Sequence, residues 1–330
     1  MKKLFYLATV FLFSTITEGQ VYKNDNPFAH TFSIVARDSA TGEMGVAVQS
    51  HWFSVGTVVS WAEAGVGAIA TQSFVNKSFG IRGLELLKKG LTAQQALDTL
   101  LSNDAGREVR QVAIIDSKGN VATHTGKGCI QYATQIQGNQ FSVQSNMMLG
   151  DQVSLAMNEA FKKSTGKTLA ERLLLSLEAA QKVGGDIRGQ QSAAILIVPA
   201  RSEGKPWDER TVDLRVDDSK EPIKELRRLY NVYLAYEHMN KGDFAVEKNK
   251  MKEAMNEYNA AMKMMPDNLE MQYWTAVTLA NNKEINKAMP IFKKVFSKDK
   301  NWKELTKRLP DAKLLTVKKA DFKKILALTF

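Results

Sequence analysis

The chain has 330 residues, 44% of them hydrophobic and 24% charged, and a formal net charge of +10. That composition is ordinary for a soluble globular protein with room for two domains, each able to bury a real core. The charge sits in one place: residues 219–330 hold 23 basic against 14 acidic residues, while 20–218 balance at 20 each. Lysines scattered along helices read as a solvated face, and no nucleic-acid partner is expected, since that would need a basic face with aromatic or arginine readers.

Lys2 and Lys3 precede the apolar run Leu4–Phe13, which trails into small and polar residues up to Gln20. That order predicts a signal peptide over 1–20 and an exported protein, periplasmic or secreted. The run is short of the ~20 residues a membrane span needs, and no later run reaches that length, so no span is expected after signal removal. Residues 21–30 read as a linker. Cys129 is the single cysteine, which excludes an intramolecular disulfide and reads as a small buried apolar residue.

From Thr31 the pattern is β: Phe32, Ile34 and Ala36 alternate with Thr31, Ser33 and Val35. Ser39–Gly42 reads as a turn whose glycine accepts positive φ, and Met44–Ser50 returns as a second strand. Val58–Trp61 and Val66–Ser73 are further strand candidates. From Phe79 the period turns helical and stops at Gly90, after which Thr92 caps a second helix over Ala93–Leu101. Arg110–Asp116 and Val121–Thr125 form a hairpin around Ser117–Asn120, and Phe141–Asn146 is a short strand. Helices follow over Gln152–Lys163 and Leu169–Lys182, then a buried strand over Gln190–Val198 and an edge strand over Val212–Val216. This element order predicts an α+β fold, a four-layer αββα sandwich over 31–218.

Residues 219–330 read as helical. Ala254, Tyr258, Ala261 and Pro266 are matched 34 residues later by Ala288, Phe292, Val295 and Lys300, the period of a tetratricopeptide helix pair. Gly242-Asp243-Phe244 reads as the turn between the first pair. Such repeats resemble tetratricopeptide units and point to a protein partner bound through them, or to an arm stacked on the first domain.

The chemistry is narrowed by what is missing. The sequence holds no H-E-x-x-H, C-x-x-C, Walker loop or G-x-S-x-G elbow, and its four histidines have no ligand-like spacing, so neither metal nor cofactor is expected. Gly65-Val-Gly67 leads into a strand and not a helix, against a dinucleotide fingerprint. Ser50 and His51 are adjacent in a strand and point to opposite faces, against a dyad. What remains is a hairpin whose first strand opens on Thr31, the arrangement in which a freed α-amine activates its own residue's hydroxyl.

The segments Thr31–Asp38, Gly45–Ser50, Gly65–Gln72, Val143–Met147, Gly189–Ala193 and Asp213–Asp217 resemble the domain-of-unknown-function family 1028 over roughly 31–218. That resemblance implies the N-terminal-nucleophile hydrolase fold and an amidohydrolase or peptidase acting on a peptide or small amide. Cleavage after His30 would expose the Thr31 amine as general base, with β-branching holding the hydroxyl in place. Gln49 and Ser50 would orient the nucleophile, Gln72 and Ser73 would supply oxyanion donors, and Asn146 and Gln191 would orient the substrate. Val58–Ala62 lacks the lysine that proteasome-type hydrolases carry on the third strand. The alternative is a non-catalytic envelope binding or scaffold protein on the same fold.

Overall fold

The computed structural model describes Phe28, Ala29 and residues 31–329. The expected signal peptide and the rest of the 21–30 linker lie outside the described residues. The chain divides into two compact units between Pro222 and Ile223.

The first unit opens with β1 (Phe28–Ala29), β2 (Thr31–Arg37) and β3 (Met44–Ser50), then α1 (Gly56–Val59), β4 (Ser60–Glu63) and β5 (Gly67–Phe74). Next come α2 (Ser78–Lys88), α3 (Ala93–Ser102), β6 (Arg110–Asp116), β7 (Val121–Thr125), β8 (Thr134–Gly138) and β9 (Phe141–Ser145). It ends with α4 (Val153–Lys163), α5 (Leu169–Lys182), β10 (Ser192–Val198) and β11 (Val212–Val216). One sheet runs β1-β5-β6-β7 with β4 also on β5, and the other runs β11-β10-β3-β2-β9-β8. All pairings are antiparallel. The unit is therefore mixed α+β with two antiparallel sheets.

The period-2 alternation sorts each strand onto two faces. Val35, Met44, Val46, Val48, Ala194, Leu196 and Val198 from one sheet join Ala68, Ala70, Ala113 and Ile115 from the other in one buried cluster. A Cβ on Gly45, one residue out of phase, would instead meet Leu173 of α5 at 3.2 Å. Helices α2 and α3 pack on the β5 sheet, and α4 and α5 on the β2 sheet. Thr92 caps α3 through a capping box with Gln95.

Two stretches differ from the sequence reading. Val58–Trp61 is split between the end of α1 and the start of β4. The turn is fixed by close packing: a Cβ on Gly56 would lie 2.5 Å from Ala194 Cβ, so α1 presses directly on β10 and β-propensity gives way. Strand β8 is absent from the sequence pattern because Thr134-Gln-Ile-Gln-Gly138 has one apolar residue.

The second unit is helical: α6 (Pro222–Glu247), α7 (Met251–Met264), α8 (Leu269–Asn281), α9 (Ile285–Lys298), α10 (Asn301–Arg308) and α11 (Lys319–Leu326). Ala254, Tyr258 and Ala261 on α7, and Ala288, Phe292 and Val295 on α9, are all buried. Gly242–Phe244 is not a turn, as the sequence suggested. Helix α6 runs through it to Glu247, and the glycine serves packing, since a Cβ there would strike the Tyr258 ring at 2.3 Å. Tyr258 donates its hydroxyl to Asp243 at 2.6 Å. Among the described residues no helix is long and apolar enough to cross a membrane.

Candidate active site

Thr31 is the first residue of β2, which lies in the middle of its sheet. The register places Thr31 opposite Ser50, and Ser50 opposite Ser192, so three hydroxyl residues form a row across β2, β3 and β10. All three are fully buried. By alternation they share the face of Val35, Val48 and Ala194 and point between the sheets. Ser192 Oγ donates to Trp52 O and accepts Val55 N–H at 3.0 Å, which ties the α1 turn to the row.

Facing this row is a set of amides. Gln72 Nε2 donates to Thr31 O at 3.2 Å and to Gln111 Oε1 at 2.6 Å. Asn146 donates its backbone N–H to Thr31 O at 3.0 Å and its Nδ2 to Gln111 Oε1 at 2.8 Å. Gln111 Nε2 donates on to Thr125 Oγ1 at 2.9 Å and Ser145 O at 3.0 Å. Ser33 Oγ donates to Gln72 Oε1 at 2.6 Å and accepts Gln144 Nε2 at 2.8 Å. The cluster carries no formal charge. Its effect is to clamp the Thr31 carbonyl, and with it the head of β2, by amides from both sheets. Buried amides satisfied in this way hold one geometry.

The structure thus brings Thr31, Ser50, Gln72 and Asn146 together. It parts Gln49 and Ser73 from them. Gln49 follows Gly45 and Ala47 onto the face turned to α5, where both its side-chain polar atoms are buried without a partner. Neighbours in a strand point opposite ways, so Gln49 and Ser50 do not share a face. Ser73 lies on the α2–α3 side of β5 with Ile69, its hydroxyl beside the Cys129 thiol and without a conventional partner. Gln191 donates its N–H to Ser50 O at 3.1 Å, but its side chain turns to Asp218 Oδ1 at 3.2 Å. Gln111, Ser33, Gln144 and Ser192 are members that the sequence reading missed. A signal existed: inward positions turn from polar to apolar along each strand, as in Thr31-Ser33-Val35, Gln72-Ala70-Ala68 and Gln111-Ala113-Ile115.

The end of β5 is held hard. Ser73 has φ 71°, a left-handed conformation that a non-glycine residue adopts at a cost of order 1–3 kcal/mol. Arg110, opposite Ser73 in the register, donates to Phe74 O at 2.5 Å and to Asp104 Oδ2 at 2.7 Å. Burial pushes the Asp104 carboxyl up, but the Arg110 hydrogen bonds and charge and the Gly106 N–H outweigh it and hold it below its usual range. Burial likewise pushes the Cys129 thiol up, away from the thiolate a nucleophile needs. Among the described residues no group of three or more His, Cys, Asp or Glu side chains is placed to hold a metal ion.

Comparison with known proteins places these features in a family. The family described as "Family of unknown function (DUF1028)" matches residues 31–226, beginning on Thr31 itself. The structure is similar to protein SPO2555 of Silicibacter pomeroyi, a DUF1028 protein, with 32% identity and a TM-score of 0.55, covering 61% of this chain and 88% of that one. Anbu (ancestral beta-subunit) from Yersinia bercovieri matches at 11% identity and a TM-score of 0.31, over 61% of this chain and 93% of that one. No curated protein matches. With its family match spanning more than half of its length, the chain belongs to the family of unknown function DUF1028.

Proposed function

We propose that this chain is an exported N-terminal-nucleophile amidohydrolase or peptidase, with Thr31 as the nucleophile and a tetratricopeptide-like arm that binds a protein partner. The observation that carries the reading is the clamp on Thr31. A threonine at the head of a mid-sheet strand has its carbonyl held by Gln72 and Asn146 and its side-chain face turned between the sheets. Two packed sheets with a helix pair on each outer face fit the four-layer αββα arrangement of such hydrolases, and the family match starts on this residue. For the arm, the support is the pairing at 34 residues of buried Ala254 with Ala288, Tyr258 with Phe292 and Ala261 with Val295.

In this reading the Thr31 hydroxyl adds to the carbonyl of His30, the C–N bond breaks to leave an ester, and the nitrogen becomes a free α-amine. Water then hydrolyses the ester. In each later turnover that amine takes the hydroxyl proton as the hydroxyl attacks a substrate carbonyl, and passes it to the leaving nitrogen. Gln72 and Asn146 act as positioning residues, since they fix the Thr31 main chain.

Intact mass and N-terminal sequencing of the exported protein test this directly. The expected mature chain begins at Thr31, and Thr31→Ala leaves the His30–Thr31 bond uncut. Amidase turnover of the processed protein should exceed that of the variant by a factor on the order of 10³ or more. A chain that keeps the bond supports a non-catalytic binding or scaffold role instead, which the full burial of Thr31 in the uncut chain favours.

A further inference from the structure

The face of β2 that carries Thr31 at one end carries Arg37 at the other. Thr31, Ser33, Val35 and Arg37 alternate onto the side between the sheets. Six residues of strand set the two ends about 20 Å apart. At the Arg37 end, the β2–β3 turn, Gly65, Ser117 and the stretch 199–203 after β10 surround an open cleft, and Arg37 and Arg201 both line it. The turn approaches that stretch closely: Gly42 has φ 76°, and a Cβ on it would lie 2.7 Å from Ala200 Cβ and 3.4 Å from Arg37 Nη2.

Arg37 is partly buried at the cleft. Its backbone N–H donates to Gln140 O at 2.9 Å and its Nη1 to Gln140 Oε1 at 2.5 Å, while Nε is buried with no partner. Among the described residues no carboxylate lies within ion-pair distance of Arg37 or of Arg201. The acid next to Arg37 in sequence, Asp38, takes the opposite face and pairs with Arg172 at 3.5 Å. A guanidinium drawn partly out of water without a counter-charge is costly, and such charges are ordinarily paired. We infer that Arg37 and Arg201 form an oxyanion subsite that takes one phosphate or carboxylate group of a small polar molecule. Their planar forks of N–H donors match either group. Two glutamates, Glu43 and Glu203, line the same cleft and balance the two arginines. That balance admits a single anionic group and disfavours a polyanion such as a nucleic acid. The subsite stands at the far end of β2 from Thr31, so its failure leaves the hydrolase reading untouched.

The test titrates the full chain at pH 7 with sodium phosphate and, separately, sodium acetate, at constant ionic strength with sodium chloride as control. The NMR amide signals of Gly42 and Gly65 report binding. The expected result is a saturable shift that chloride does not produce; a response to phosphate identifies a phosphoryl ligand, and a response to acetate alone a carboxylate. Arg201→Gln, at an exposed position, should weaken binding about tenfold. Arg37→Met should abolish it and, by removing the unpaired charge, raise the thermal midpoint of the first unit in phosphate-free and acetate-free buffer by about 2–4 °C. Shifts no different from those with chloride, or equal affinity in the parent and Arg201→Gln, overturn the inference even where Arg37→Met fails to fold. A lowered midpoint with undiminished binding in Arg37→Met would make Arg37 a structural tie and overturn it as well.

Discussion

Two buried glutamines in this protein differ in sign, and the difference lies in their partners. Both side-chain atoms of Gln72 are hydrogen-bonded, Oε1 to Ser33 and Nε2 to Thr31 O and Gln111. Gln49 is as deeply buried and has no partner at either atom. A buried polar group left unpaired costs about 1–3 kcal/mol, so Gln49→Met, which keeps the volume, should stabilise the first unit by about 1 kcal/mol. Gln72→Leu removes one member of a connected network and strands its neighbours, and should destabilise by about 2–4 kcal/mol. Thermal unfolding of the two variants should move the midpoint in opposite directions. A fall for Gln49→Met would mean that Gln49 is paired, for example through buried water. Thr31, Ser50, Gln72 and Asn146 were legible as polar residues at the ends of strands. Gln49 and Ser73 end the same strands as Ser50 and Gln72, but neighbours in a strand take opposite faces, which a strand-end position alone does not reveal.

At the scale of the element, the hairpins and helix pairs were legible wherever propensity and burial agree, as in Val121–Thr125 or Leu169–Lys182. They were hidden wherever packing decides, as at Gly56 against Ala194 or Gly242 against Tyr258. The end of β5 is another such place, because nothing local marks Arg110 as its clamp. The ion pair there has side chains 6% and 12% exposed, and removing one partner of a buried pair costs about 3 kcal/mol. Asp104→Asn should therefore lower stability at neutral pH by about that amount. The pH dependence follows from the direction of the shift. The folded-state value of Asp104 lies below its usual 3.8, so the folded protein binds the proton less readily than the unfolded chain. The contribution is then fully present above the unfolded value and is lost as pH falls from about 4 through the lower folded value. Urea unfolding at pH 7 and pH 3 should show a smaller acid penalty in the variant than in the parent. Equal penalties would remove Asp104 from the clamp.

At the scale of the whole molecule, the two units carry separate cores and very different charge. The inter-sheet cluster draws on residues 35–198, and the largest helical cluster on 273–325. Residues 20–218 are neutral, while 219–330 carry a surplus of 9 positive charges. Separate cores open with separate free energies, so denaturant unfolding should show two transitions, distinguishable by amide exchange in each unit. Salt should then act on one of them. Self-repulsion among like charges destabilises a compact state, and raising ionic strength from about 0.01 M to 0.15 M shortens the screening length from about 30 Å to 8 Å. The opposing effect is loss of surface ion pairs. In the helical unit these include Arg228–Glu225, Lys287–Glu284 and Lys307–Glu304, one turn apart on exposed faces and individually weak. Long-range repulsion among nine unbalanced charges outweighs such exposed, weak local pairs. Sodium chloride should therefore raise the midpoint of the helical unit and leave that of the neutral unit nearly fixed, and a helical unit that loses stability with salt would show that its local pairs matter more than its net charge.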